Sequence, residues 1–292
     1  MTKHKKRFGD RYDGRRIRSL NPFYKIIPYI MKTRVDAQNY FEDKIEISNT
    51  EEYIRQKRRE YDIPISFLHV IIAAMVRTIS QKPGLNRFIG GQKIFARKDI
   101  FITFVLKKEF RDDSPETTLK IRFEPTDTFM DVVKRINDQV DQNKSLSVKN
   151  DADKTAHFIM LIPGLLVKFV VWFLSCLDYF GFMPKFINNA SPFHTSVFIT
   201  DLGSLGIQPI YHHLYEFGNT SSFISFGLKQ KEKVFNADNE IINRKYVNIK
   251  VVTDERICDG HYYATAFKLY RNFIKHPEKL DTPPAEVVED IL

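Results

Sequence analysis

Cysteine is scarce: Cys176 and Cys258 are the only two in 292 residues. Both sit in apolar or strand-like surroundings without metal-ligand spacing. That excludes a disulfide framework and a structural zinc site, and makes a reducing cytoplasm the expected compartment. The basic start is not followed by an apolar stretch or a small-residue cleavage site, so it does not read as a secretory leader. No repeat of roughly 20–50 residues recurs, which argues against a solenoid. Disorder is excluded for most of the length, because 43% hydrophobic residues and 25 phenylalanines describe a globular chain with an aromatic core.

Charge is in excess, but in one place. The net charge of +9 first suggests a nucleic acid or an anionic surface as partner. Eight basic residues and two acidic ones fall between Met1 and Arg18, a balance of +6, and the other 274 residues hold +3. Residues 1–18 therefore read as a basic flexible tail and 19–292 as the folded domain, with a nearly balanced surface that does not support a nucleic-acid partner. A tail of this kind is a solvated extension, an electrostatic tether to anionic lipid or a nonspecific nucleic-acid contact.

The pattern alternates hairpins and helices, which points to an α+β class. Asn21-Pro22 announces a helix through Met31, and Tyr40 to Ile47 reads as a strand. A charged helix opens at Thr50 and an apolar, buried one spans Ser66 to Gln81. Gly90-Gly91 marks a hairpin turn. Strands are expected at Ile100 to Leu106, Leu119 to Phe123, Thr195 to Thr200, Ser222 to Gly227 and Tyr246 to Val252. One amphipathic helix begins at Thr126, and a last one carries Tyr263, Phe267, Tyr270 and Ile274 on one face. Phe158 to Leu177 is long enough to cross a bilayer, but Lys168 at its centre costs roughly 2.5–3.5 kcal/mol there.

Thr253-Asp254-Glu255-Arg256-Ile257-Cys258-Asp259-Gly260 lies between the last strand and the last helix. It resembles the DHRxxDG signature of dihydrolipoyl acyltransferase catalytic domains and the HxxxDG signature of chloramphenicol acetyltransferase. The stretch from Phe198 to Gly227, with Thr200-Asp201-Leu202-Gly203, is similar to that family's second signature. YKIIPYIMKTRVDAQNYFEDKIEI resembles its opening helix and strand, and ISFLHVIIAAMVRTISQKPGLNRFI its buried helix and hairpin. The matches run in order from about Arg18 to Lys275.

This resemblance implies a two-layer α/β sandwich with a mixed sheet, a homotrimer, and active sites between subunits that coenzyme A enters through a channel. It implies an acyltransferase acting on acyl groups other than amino-acyl, with acyl-CoA as substrate and no metal. The lipoyl and subunit-binding domains of complex-forming relatives have no place in 19–292, so no lipoyl group is expected on this chain. It also argues against a membrane span at 158–177, because the matched elements on both sides belong to one domain.

Acyl transfer needs a base for the acceptor's proton and a donor for the oxyanion. Asp259 and Gly260 match the family's Asp-Gly, Asp254 and Arg256 its flanking residues, Gly203 its turn, and Thr200 its oxyanion donor. The histidine is replaced by Glu255. A glutamate, with a reference pKa near 4.3, is a weak base toward a thiol near 8.5 unless burial raises it. Three readings stay open: Glu255 or nearby His261 supplies the base; the chain is catalytically silent and binds a ligand or serves assembly; or a different reaction runs on the scaffold. His69 and His194 read as hydrogen-bonded core or loop residues. His212 and His213 sit in the loop after the second signature; adjacent histidines face opposite ways when extended as on a strand, so a shared metal is not expected. The segment around Trp172 reads as extra core or trimer interface, with an apolar wall for a long acyl chain or a peripheral, lipid-facing surface as the alternative.

Overall fold

A computed structural model describes residues 6–107, 116–146 and 162–291. In chain order the strands are β1 (Gly14–Arg16), β2 (Gln38–Glu46), β3 (Arg87–Gly90), β4 (Lys93–Arg97), β5 (Ile100–Lys107), β6 (Glu116–Phe123), β7 (Val197–Asp201), β8 (Ser222–Phe226), β9 (Gln230–Phe235) and β10 (Ile241–Asp254). The helices are α1 (Pro22–Ile30), α2 (Ser48–Tyr61), α3 (Phe67–Gln81), α4 (Phe129–Leu146), α5 (Gly164–Phe180), α6 (Lys185–Ala190) and α7 (Gly260–Lys275).

A seven-stranded mixed sheet runs β2-β10-β8-β7-β5-β6, with β9 paired to the first half of β10. The central pairs β5–β7 and β7–β8 are parallel and the others antiparallel. Side chains alternate as a pleated sheet requires. Val197, Ile199, Ile224, Phe226, Ile249 and Val251 join the main core. Phe198, Phe223 and Val252 point the other way, with Leu214, into a smaller cluster.

On the main face α3 packs against α4 and α7 and is buried along nearly its whole length. Its apolar residues have no exposed side, and Ser66 with His69 closes its first turn: the Ser66 N–H donates to His69 Nδ1 at 2.9 Å. Helix α1 begins as its Asn-Pro start predicts, with the Asn21 carboxamide accepting from Phe23 N–H at 2.9 Å.

Several expectations are corrected. The described part of the basic tail is packed: β1 pairs with β4, and Arg11 is 5% exposed. Its guanidinium reaches Asp13 and Asp178 and lies over Phe88 and Phe95, so much of the local charge is consumed internally. The hairpin turn is Gly91-Gln92, one residue later than expected, with φ of 53° and 58°. Glycine is required at 91 because a Cβ there would lie 2.5 Å from the Tyr179 carbonyl oxygen.

Helix α4 starts after Thr126, because Thr128 and Asp131 bond each other's backbone N–H across its first turn. Of the segment 158–177, residues 158–161 lie outside the described ones. The remainder lies almost wholly in α5, which contains no buried residue and is therefore not core within the chain. His212 and His213 lie in a loop, as expected, but they do not face apart. Their rings stack 5.0 Å apart, and His212 stacks on Phe223.

Candidate active-site loop and its partners

The loop from Asp254 to Gly260 is held at both ends by its own residues. Asp254, fully buried, ends β10 and pairs with Arg256 at 2.7 Å and 2.8 Å. Arg256 also donates to the carbonyls of Met31 and Lys32, which ties the loop to the exit of α1. Arg34 approaches Asp254 to 3.7 Å and donates to the carbonyls of Tyr215, Glu216 and Gly218. Burial lowers the pKa of the Arg34 guanidinium, with Asp254 opposing that shift. One carboxylate thus joins the strand end, the α1 exit and the 215–218 loop.

Asp259 is the N-cap of α7, its carboxylate accepting from Tyr262 N–H at 2.8 Å. This gives the Asp-Gly pair a local physical role. An acidic oxygen satisfies an orphan N–H at a helix start, and Gly260 next to it leaves the loop mouth open. Nothing lies within 4 Å of where a Gly260 Cβ would be.

Glu255 lies between these anchors. Its backbone N–H donates to the Ala37 carbonyl at 2.8 Å, and its half-buried side chain makes no hydrogen bond or ion pair among the described residues. His261 is exposed in the first turn of α7. Burial pushes the Cys258 thiol up to about 12, so it is protonated and is not a nucleophile at neutral pH.

The second signature also folds tightly. Leu202 N–H donates to the Phe226 carbonyl and Ser204 N–H to the Asp201 carboxylate. A Cβ on Gly203 would stand 2.5 Å from the Gly227 carbonyl oxygen, so the turn after β7 packs directly on the end of β8. Thr200 is half-buried and its hydroxyl is unbonded among the described residues.

These two loops do not meet within one chain. Val197 pairs with Ser222 and Ser222 with Thr253, whereas Thr200 is level with Ser225 and Lys250. Glu255 therefore lies beyond one end of the strands and Thr200 near the other, separated by about 17 Å along the strand direction at 3.4 Å per residue. Asp254, Arg256, Asp259 and Gly260 are brought together with Glu255; Thr200 and Gly203 are grouped separately.

The sequence does not single out Arg34, Arg97, Asp178 or the buried role of Arg11; His194 is the hydrogen-bonded core residue it was expected to be. His194, fully buried, lies 2.8 Å from Ser191 Oγ through Nδ1 and 3.7 Å from Asp178. Lys120 donates to the carbonyls of Asn188 and Ser191, and burial, with Arg97 nearby, brings its pKa down to about 7. A cavity of about 620 Å³ lined by Arg15, Asn86, Arg97, Arg122 and Asp290 contains none of the motif residues. Among the described residues, no group of three or more His, Cys, Asp or Glu is placed to share a metal ion.

No protein-family model and no curated protein matches the sequence. Solved structures do match. A probable dihydrolipoamide acetyltransferase from Listeria monocytogenes aligns over 93% of this chain and 97% of its own, at 13% identity and a TM-score of 0.56. Dihydrolipoamide acetyltransferase from Azotobacter vinelandii aligns over 83% of each chain, at 12% identity and a TM-score of 0.56. A truncated catalytic core of the 2-oxoacid dehydrogenase multienzyme complex from Thermoplasma acidophilum aligns over 90% of this chain and 99% of its own, at 12% identity and a TM-score of 0.52. The seven-stranded mixed sheet and its helices are thus the fold of 2-oxo acid dehydrogenase acyltransferase catalytic domains, the chloramphenicol acetyltransferase-like fold.

Proposed function

We propose that the protein transfers an acyl group from coenzyme A to a small acceptor, with Glu255 as the base and Thr200 as the oxyanion donor. The observation that carries this reading is the position of Glu255. By the sequence resemblance it stands for the family's histidine, and it lies in a loop fixed by the Asp254–Arg256 pair and the Asp259 cap, with its carboxyl left unbonded among the described residues. The acceptor attacks the thioester carbonyl while Glu255 takes its proton, and the Thr200 hydroxyl donates to the oxyanion. The C–S bond then breaks and the proton passes to the departing coenzyme A thiolate.

Because Thr200 and Glu255 lie at opposite ends of the strands, a complete site takes the two residues from different copies, consistent with a homotrimer. Exposed Phe23 and Ile26 on α1, and exposed Leu205, Ile207 and Ile210 after β7, supply apolar surfaces for such an assembly.

The test is acyl-CoA turnover followed by thiol release for the native chain, Glu255→Gln and Glu255→His. Native activity that falls about 10²–10⁴-fold in Glu255→Gln supports glutamate as base. A second reading, a silent member that binds a ligand or serves assembly, rests on the residue type: a carboxylate is a weaker base toward a thiol than the imidazole it replaces. It predicts a stable assembly without turnover, with activity gained only in Glu255→His.

A further inference from the structure

Over residues 164–173 helix α5 is apolar on nearly all sides, and there none of its sides is covered. Phe169, Val170, Val171, Trp172 and Phe173 are consecutive, so at 100° per residue they pass round the whole helix. Each is between 45% and 58% exposed. Leu165 and Leu166 near the free end are 84% and 50% exposed, and nothing lies within 4 Å of where a Gly164 Cβ would be. A helix that is hydrophobic all round belongs in a core or in lipid.

The helix is fastened at its C-terminal base. Arg11 donates to the Asp178 carbonyl and carboxylate, Tyr179 donates to the Gln92 side chain at 3.2 Å, and the Tyr179 carbonyl sits against Gly91. The segments that hold this base carry exposed Lys6, Arg7, Lys93 and Lys185, none of them in an ion pair among the described residues. The carboxylates beside them, Asp10, Asp13 and Asp178, are each paired with arginine. Phe8, Phe182 and Phe186, also at the base, are 74% or more exposed.

We propose that α5 embeds in an anionic lipid bilayer and docks the protein on a membrane surface. The basic residues at the base meet lipid phosphates, and the exposed phenylalanines sit at the headgroup level. The occupant is lipid rather than a second copy, because a partner helix covers one stripe and leaves the opposite side in water, whereas acyl chains cover every side. Geometry also sets the depth. Seventeen residues make a helix of about 25 Å, short of a hydrocarbon core of about 30 Å, and no helix among the described residues is long and apolar enough to cross a membrane. The helix therefore lies in one leaflet, about 5–10 Å deep, with the Lys168 stem reaching back to the phosphates. This inference does not depend on the proposed acyl transfer.

Trp172 is the sole tryptophan, so its fluorescence reports on α5 alone. The experiment mixes the full chain with vesicles of phosphatidylcholine, or of phosphatidylcholine with phosphatidylglycerol, and follows Trp172 emission, acrylamide quenching and vesicle flotation. Lipid insertion gives a blue shift, protection from acrylamide and flotation with the anionic vesicles. Lys6→Gln and Arg7→Gln each weaken this binding about fivefold. Phe169→Glu with Phe173→Glu abolishes it while leaving the thermal midpoint unchanged, because both side chains lie on the uncovered helix. The proposal is overturned by absence of the shift, or by lipid binding that survives the double variant. It is equally overturned by Trp172 emission already blue and shielded without lipid, in step with a concentration-dependent oligomer.

Discussion

Replacing Arg11 with methionine keeps the aliphatic stem between Phe88 and Phe95 but removes the charge that faces two carboxylates. The Arg11 side chain is 4% exposed, Asp13 10% and Asp178 13%, so water does not replace the lost partner. Breaking a buried pair from one side costs about 3–5 kcal/mol, a large share of a total stability of about 5–15 kcal/mol. At about 2–4 °C per kcal/mol, the thermal midpoint of Arg11→Met should fall by roughly 10 °C. The acid side gives a second readout. Burial works to raise the pKa of Asp178, but His194 and Arg11 together hold it well below the usual carboxylate range. A depressed folded value contributes stability above the unfolded value that is lost as pH falls through and below it. In Arg11→Met the folded value moves up toward the unfolded one, so that loss should be smaller and complete at a higher pH. Thermal unfolding of native, Arg11→Met, Asp178→Asn and the double variant, at several pH values, closes the cycle. A midpoint change equivalent to less than about 0.5 kcal/mol, as for an ordinary surface substitution, or strictly additive single effects, would refute the reasoning.

Asp259→Ala should lose about 1 kcal/mol in urea unfolding, because α7 loses its cap, while Asp259→Asn keeps most of it. Gly203→Ala puts a methyl carbon 2.5 Å from the Gly227 carbonyl oxygen and should cost about 1–3 kcal/mol by the same assay, with the turn beside Thr200 displaced. Lys120 has a folded pKa of about 7 against an ordinary 10.5, so across that window the unfolded chain binds a proton the folded one does not. Stability should therefore rise with pH from about 7 to about 10, and the urea midpoint of Lys120→Met should rise less over the same range.

What the sequence disclosed depends on the range of the interactions concerned. The Asp259 cap, the Asn21-Pro22 start and the buried course of α3 involve neighbours a few residues apart, so residue type and spacing suffice to read them. Strand β9 is not legible in the sequence because it pairs only with the outlying half of β10, and Phe235 at its end is 69% exposed, so no hydrophobic alternation marks it. Arg11 and Asp178 are 167 residues apart, and nothing in a basic N-terminal run says that one guanidinium is spent on a distant helix end. The separation of Thr200 from Glu255 follows from strand order and direction. A motif in chain order places residues near a site without saying at which end of a shared sheet they stand.

That separation also has a genetic consequence. Since each chain presents Thr200 at one end of β7 and Glu255 beyond the opposite end of β10, a lesion at one leaves the other intact in the same molecule. Under the interfacial reading, two inactive alleles, Thr200→Ala and Glu255→Gln, should restore each other when mixed before assembly. The hybrid contains junctions that draw both sound residues from different chains. Complementation between two defective copies would then be written into the direction of the strands.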